Sequence, residues 1–449
     1  MAEVAAEQGK LSLNRDLVER ISDTLDEPDY MREFRLEAYE LYEELPIPSA
    51  KNSEEWRRTD VTDLEDADLK ASSGKGFAEE TLPRYLQEIR DNNADERSGV
   101  QLSHNAGDVY TEVGDELSDN DIVFCPMSEA VREYPDVVQD HFMTEALEVD
   151  LNKFSAMHAA FWTGGTFLYV PNNTEIELPV EIHNYIDRDG LSLFDHNLIV
   201  VGANSRINIV DSHTGSDELE ERAVCANAVE IYVDDGAAVD YSHIQDLGNN
   251  YYDVSMRRGV CQNQSQLNWI TGTLGGQKNK TNAITKLNGE GSETFLYGVM
   301  LASEDQHVDS DISTVHDAPY TTDEMLARGV VLDESKGIFR GVITMEKGSR
   351  KAKGSLHERV LMVGDDCEAD AVPEMTINEN DVKAAHSASV GELDQKQLLY
   401  MQSRGIDRER ARRLIILGFF EPILDKLPVE RVKQNLVDLI HRKLDEANV

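Results

Sequence analysis

The stretch NLIVVGANSRINIV, residues 197–210, holds two short apolar runs, NLIVV and RINIV, around the turn formers GANS. Runs of the same kind recur on either side: TFLYV (166–170), PVEIHNYI (179–186), VEIYV (229–233) and GIFRGVITM (337–345). Between them stand DRDG, TGSD, DDG, GNN, LGG and NGEG, each rich in residues that favour turns. No helical stripe interrupts the pattern from about residue 165 to about 375. Many short strands separated by turns imply a sandwich, a barrel or a β-solenoid. No strict short repeat is visible, so a solenoid would have to be irregular.

Helical patterns flank this segment. Leu13, Leu17, Ile21 and Leu25 recur at four-residue spacing, and Met31, Phe34, Leu41 and Tyr42 form a second stripe that Pro28 is placed to open. PIPSAKNSEEWRRTDVTDLEDADL reads as loop, with further helix expected at 78–91 and 136–162. After Leu393, DQKQLLYMQSRG should end at Gly405 and Asp407 should cap the next helix. Ala411, Leu414, Ile415 and Gly418 line one face of that helix; Val429, Val432, Leu436, Leu439 and Ile440 line a third helix. The organisation is therefore a helical part (1–162), a β core (163–390) and a second helical part (391–449).

Asp and Glu number 86 against 43 Lys and Arg, for a formal charge of −43. Such a surface repels phosphate backbones and anionic lipid, which argues against nucleic-acid and membrane partners. The acids are spread along the chain, a distribution suited to solvation at high salt. The opening MAEVAAEQGKLSLNRDL has no basic or apolar region of a secretory signal, and no run is long enough to cross a bilayer. The expected location is the cytoplasm. Cys125, Cys225, Cys261 and Cys367 stand far apart with no CxxC pair, the pattern of isolated buried thiols.

Familiar catalytic motifs fail. GTLGGQKNK lacks the GK[ST] of a phosphate loop, HERVL (357–361) lacks the second histidine of HExxH, and no GxSxG occurs. What stands out is DVKAAHSASVGELDQ (381–395). As a strand it sets Val382, Ala384, His386, Ala388 and Val390 on one face, an imidazole among small apolar side chains. Two basic clusters also stand out: Arg404, Arg408, Arg410, Arg412 and Arg413, and Lys347, Arg350, Lys351 and Lys353. Clusters of this kind are ordinarily solvated faces, or else contact surfaces for an acidic partner.

Several long stretches, in order, resemble the SufB/SufD family of iron–sulfur cluster assembly proteins. They are KNSEEWRRTD (51–60), LNKFSAMHAAFWTGGTFLYVPNN (151–173), the block 309–354 from DSDISTVHDAP to SRKAKG, and 372–428 from VPEMTINENDVKAAHSASVG to DKLP. The resemblance implies an irregular right-handed parallel β-helix between N- and C-terminal helical domains, which selects the solenoid. It implies a non-enzymatic scaffold, most like SufD, partnered by a SufB-type homologue and a SufC-type ATPase, with a homodimer possible in isolation. It places His386 on the histidine that faces the SufB subunit, where a transient iron–sulfur cluster forms at the interface and an imidazole can ligate iron. It does not decide whether a flavin binds.

SufB-type members carry a cysteine near LHERVLMV and a glutamate after the histidine; here those positions are His357 and Ser387, and Ala384 replaces a cysteine of many SufD proteins. The resemblance is thus SufD-like, although EPDYMREFRLEAYELYEELPIP is more like SufB. His357, His316 and Cys367 are expected to be structural. The ATPase docks on the C-terminal helices in this family, which points to Arg408, Arg412, Phe419 and Phe420 as contacts. Two alternatives stand beside this reading: a SufB-type scaffold acting with itself, and a β-solenoid enzyme acting on carbohydrate, which would need carboxylates clustered on one face.

Overall fold

A computed structural model describes residues 11–65, 67–74, 82–92, 94–216 and 219–447. The short runs become strands that alternate, in chain order, between two ten-stranded sheets facing each other. Ala238, Gln266, Glu293, Thr322, Lys353 and Lys383 are register partners in successive strands of one sheet, all parallel. The architecture is a parallel β-solenoid with helices at both ends of the chain, as the resemblance implies.

One corner explains why no repeat shows in the sequence. Asn173, Asn204, Gly236, Gln264, Gly291, Tyr320 and Lys351 all have φ between 55° and 71°. Each donates its backbone N–H to a carbonyl of the following turn: Ala203, Asp235, Asn263, Glu290, Pro319, Arg350 and Asp381 respectively. The sharp corner requires the left-handed region, which glycine and asparagine enter at least cost. Tyr320 and Lys351 show that the stacked backbone bonds impose that conformation even on unsuited side chains.

Inward side chains stack in columns through the lumen. One column runs Ile209, Tyr241, Trp269, Leu296, Met325 and Leu356, every member buried. Burying rings and aliphatic chains in register on each turn is the main drive for the coil. The solenoid starts earlier than the β-rich segment suggests: Gly99–His104, Gly107–Val113 and Val123–Pro126 extend its sheets from within residues 1–162. Of the helix expected at 78–91, Arg84–Asp91 forms and 78–81 lie outside the described residues. The helix expected at 136–162 is two, Pro135–His141 and Lys153–Phe161, the second opened by an Asn152 capping box.

The N-terminal helices cover the outer face of one sheet. Arg15–Thr24 is capped by Asn14, and Pro28 opens Asp29–Glu44. Buried Arg35 joins them to Lys153–Phe161: it pairs with Glu27 (2.6 Å), donates to the Ala160 carbonyl (3.2 Å) and lies over the Trp162 ring (4.2 Å). The loop 51–60 pins this layer down through Trp56, stacked on Phe154 at 5.2 Å, and through Thr59, which donates to Asp309 at 2.5 Å.

The helices Gln395–Ser403, Arg408–Leu424 and Glu430–Glu446 follow the solenoid, and the last two pack on the outer face of the other sheet. Gly405 (φ 86°) and the Asp407 cap stand as expected. The buried face of Arg408–Leu424 differs from the expected stripe: Ala411, Ile416, Phe420, Ile423 and Leu424 point inward, while Leu414 and Gly418 are exposed. Both sides of this helix carry apolar residues, so spacing did not identify the one that meets the sheet.

Candidate functional site

The lumen column ends on His386. Strand Lys383–Glu392 is the last of its sheet, and its register places His386 beside Leu356, on the same inward face. Val382 and Ala384 pack against the lumen core, but from Ala385 onward the strand is exposed, because no further turn covers it. The histidine therefore occupies the position that a core residue fills in every preceding turn, with its ring open to solvent and without a hydrogen-bond partner among the described residues.

The two terminal strands offer different edges. Glu368–Ile377, last of the other sheet, carries Pro373 at mid-strand and outward acids at Glu368, Asp370 and Glu374, features that discourage strand addition. Lys383–Glu392 has no proline and mostly small side chains, so its backbone edge remains open. Exposed Met375, Ile377 and Val390 make this end of the coil apolar.

Other singled-out residues sit apart from this end or face outward. His357 projects from the outer face, its Nδ1 2.7 Å from Ser387 Oγ. His316 is buried between Thr321 (2.8 Å) and Asp323 (2.6 Å). All four cysteines are buried and unbridged; Cys367 donates to the Gly364 carbonyl at 3.2 Å. Burial pushes the thiols of Cys125 and Cys261 up to about 12, which keeps them protonated and poor nucleophiles.

One carboxyl escaped the sequence reading. Glu358, one turn before the end, is fully buried, faces the lumen, and is in register with Ala388. No side chain donates to its oxygens, and only the Gly341 backbone N–H supports the charged form. Burial, reinforced by the Asp311 carboxylate, pushes its pKa up to about 8. The clue was present in LHERVLM, where Leu356, Glu358 and Val360 share a strand face, but a charged residue in that alternation reads as outward.

Deeper in the lumen lies a buried polar cluster that sequence spacing also hid. Asp211 accepts from the Tyr241 hydroxyl at 2.6 Å and from His243 Nδ1 at 3.0 Å. Asn227 lies 2.8 Å from His213 Nδ1. The members come from different turns, so only stacking brings them together.

Of the expected ATPase contacts, Arg408 is exposed and Arg412 is half-buried, reaching the Val363 carbonyl at 3.4 Å. Phe419 is half-buried under the Arg328 guanidinium at 4.9 Å. Phe420 is fully buried between its helix and the sheet, so it is a core residue with no face to offer a partner. The exposed apolar side chains here are Leu399 (67% exposed), Tyr400 (61%) and Leu414 (44%). No helix among the described residues is long and apolar enough to cross a membrane.

Two family models match the chain. "SUF system FeS cluster assembly, SufBD core domain" covers residues 184–419, and "SufBD protein N-terminal region" covers 14–182. The chain is 31% identical over 438 residues to the iron–sulfur cluster assembly protein SufD of Bacillus subtilis, spanning 97% of this chain and 99% of that one. It is 26% identical to SufB of the same organism, over 95% of this chain and 92% of SufB. A SufBD family protein of Staphylococcus epidermidis matches at 26% over the same shares. Nothing among these relatives supports a carbohydrate-active enzyme.

Proposed function

The chain belongs to the SufBD family of iron–sulfur cluster assembly proteins, and from that premise we propose that it is the SufD-type scaffold subunit of a SufBCD-like complex. The observation that carries this reading is His386, an open imidazole ending the lumen column on an unblunted strand edge. A homologous subunit adding its own terminal strand there would bury the apolar end and bring its ligands to the imidazole. The transient cluster would then be held between the two chains as cargo. A SufB-type role is less well supported, because it calls for a reactive thiolate and all four cysteines are buried.

In the isolated chain the same edge suits a second copy. The strand KAAHSASVGE begins with Lys383 and ends with Glu392, so two copies paired antiparallel about its centre set cation against carboxylate. The SufC-type ATPase would dock on the C-terminal helices through Leu399, Tyr400 and Leu414, with Arg404 and Arg408 beside them, rather than through Phe420. Its motion would shift the two coils against each other and open or close the shared site. The domain division 1–162, 163–390 and 391–449 and a cytoplasmic location belong to the same reading.

Co-expression with a SufB-type and a SufC-type partner at high salt tests it. The expected result is a stable complex in which His386→Ala leaves assembly intact and lowers cluster yield. A chain that takes neither partner and assembles a cluster unaided would refute the SufD assignment.

A further inference from the structure

Midway along the coil the lumen is not filled. A void of about 20 Å3 remains there, enough for one occupant the size of a water molecule. Arg257, Thr271, Thr273, Thr281, Gly298 and Ser310 are among the residues that line it. Register explains the grouping. Thr271 and Gly298 are partners in one sheet, and Thr281 and Ser310 are partners in the other. Arg257 enters from Tyr251–Cys261, two residues beyond Ser255, which is the partner of Thr281.

The fold leaves Arg257 unanswered. Its side chain is fully buried, and its Nη1 has no hydrogen-bond partner. The Asp253 and Asp211 carboxylates act on it only through space, without a hydrogen bond. Both are engaged elsewhere: Asp253 accepts from Ser255 at 2.8 Å, and Asp211 accepts from Tyr241 and His243. Burial draws the guanidinium below its ordinary pKa, and the neighbouring acidic groups offset only part of that pull. A buried cation with no contact partner is among the costliest groups a fold can hold.

Gly298 keeps the void open. A Cβ there would lie 3.5 Å from Thr271 Oγ1 and 3.9 Å from both the Ala327 and the Leu296 side chains, which is ordinary contact. Alanine would therefore fit, and it would stabilise a strand interior relative to glycine. What glycine provides at this position is room beside the hydroxyls.

We propose that this void is an anion site that takes one chloride ion, held by Arg257 and the hydroxyls of the lumen wall. Guanidinium N–H and Thr and Ser O–H groups can all donate, and no carboxylate lines the void among the described residues. A single-atom anion matches the space, whereas sulfate and phosphate exceed it. Water can fill the void but leaves the buried charge uncancelled. The outer surface of a chain of formal charge −43 repels anions, so capture of a halide marks a specific site rather than a diffuse ion cloud. The site owes nothing to the scaffold reading, because it lies within the coil and needs no partner. Its consequence is that chloride, bound only by the closed coil, stabilises the folded chain by mass action.

The test is urea unfolding of the full chain in potassium salts of constant high ionic strength, with chloride exchanged stepwise for glutamate, which is too large for the void. Once the site saturates, the unfolding equilibrium constant should fall about tenfold for each tenfold rise in chloride. Gly298→Ala, whose methyl projects into the void, should fold and lose this dependence, and Arg257→Gln should lose it too. If Arg257→Gln does not fold, Gly298→Ala decides alone. The three chains share nearly the same surface, so general effects of the anion exchange act equally on all of them. Crystals of the full chain grown in potassium bromide give the direct reading, one anomalous peak within hydrogen-bonding reach of the Arg257 guanidinium. A wild type whose unfolding ignores chloride, a Gly298→Ala chain with the wild-type dependence, or bromide crystals with only water beside Arg257 would each overturn the proposal.

Discussion

Replacing Glu230 by Gln should stabilise the protein at alkaline pH, and increasingly so as pH rises. Glu230 is fully buried where the N-terminal helices meet the solenoid. His158 Nδ1 lies 2.7 Å from the Ala226 carbonyl, which can only accept, so that nitrogen carries the proton. His158 Nε2 is then an acceptor and takes the Nδ1 proton of His196 at 2.9 Å. That leaves the His196 Nε2 lone pair 3.0 Å from Glu230 Oε2. The contact is favourable only if the carboxyl is protonated. Burial accordingly pushes Glu230 from its ordinary 4.5 up to about 8, partly offset by the Met143 N–H, which it accepts at 2.7 Å.

The sign follows from the raised folded value: no penalty below about pH 4.5, a growing one up to about pH 8, and the full cost above it. At about 1.4 kcal/mol per pKa unit, that cost is on the order of 4–5 kcal/mol as an upper bound. Both contacts fall on Oε2, so glutamine keeps only one of them, at a cost of about 1 kcal/mol, but it carries no charge. His158 and His196, held neutral by burial, add the same acid-side loss to both chains. Urea unfolding of the two chains from pH 5 to pH 9, at constant high salt, measures the difference. The two should agree within about 1 kcal/mol near pH 5 and diverge by several by pH 9. Parallel curves, or a variant less stable at pH 9, would refute the tautomer chain.

Phe420→Ala should cost about 3–5 kcal/mol of stability, read by denaturant midpoint, because it empties a fully buried site. Any loss of ATPase binding should track that unfolding. Leu399→Asp combined with Tyr400→Asp should do the opposite, leaving the midpoint within about 0.5 kcal/mol and abolishing pull-down of the ATPase, since both residues are exposed. Unchanged pull-down would move the docking face elsewhere.

The order of helical, β and helical segments, the caps at Asp407 and Gly405, and the placing of His386 on a strand face of small residues can be read along the chain alone. These are local facts: turn chemistry, period and capping act over a few residues. Long motifs supplied the family, and through it the choice of solenoid over sandwich or barrel.

What depends on stacking emerges only once the coil closes. The corner ladder repeats as a left-handed backbone and an N–H bond, not as a residue type, so Asn, Gly, Gln, Tyr and Lys all serve and no period is visible in the letters. Phe419 and Phe420 are adjacent in sequence, yet the sheet beneath them buries one wholly and leaves the other half open. Glu358 faces inward because Gly341, on the opposite sheet, has no side chain to exclude it. His386 is open because the coil stops at its own turn and no further strand covers it. Register between turns sets each of these environments, and register is a property of the closed coil rather than of any one strand.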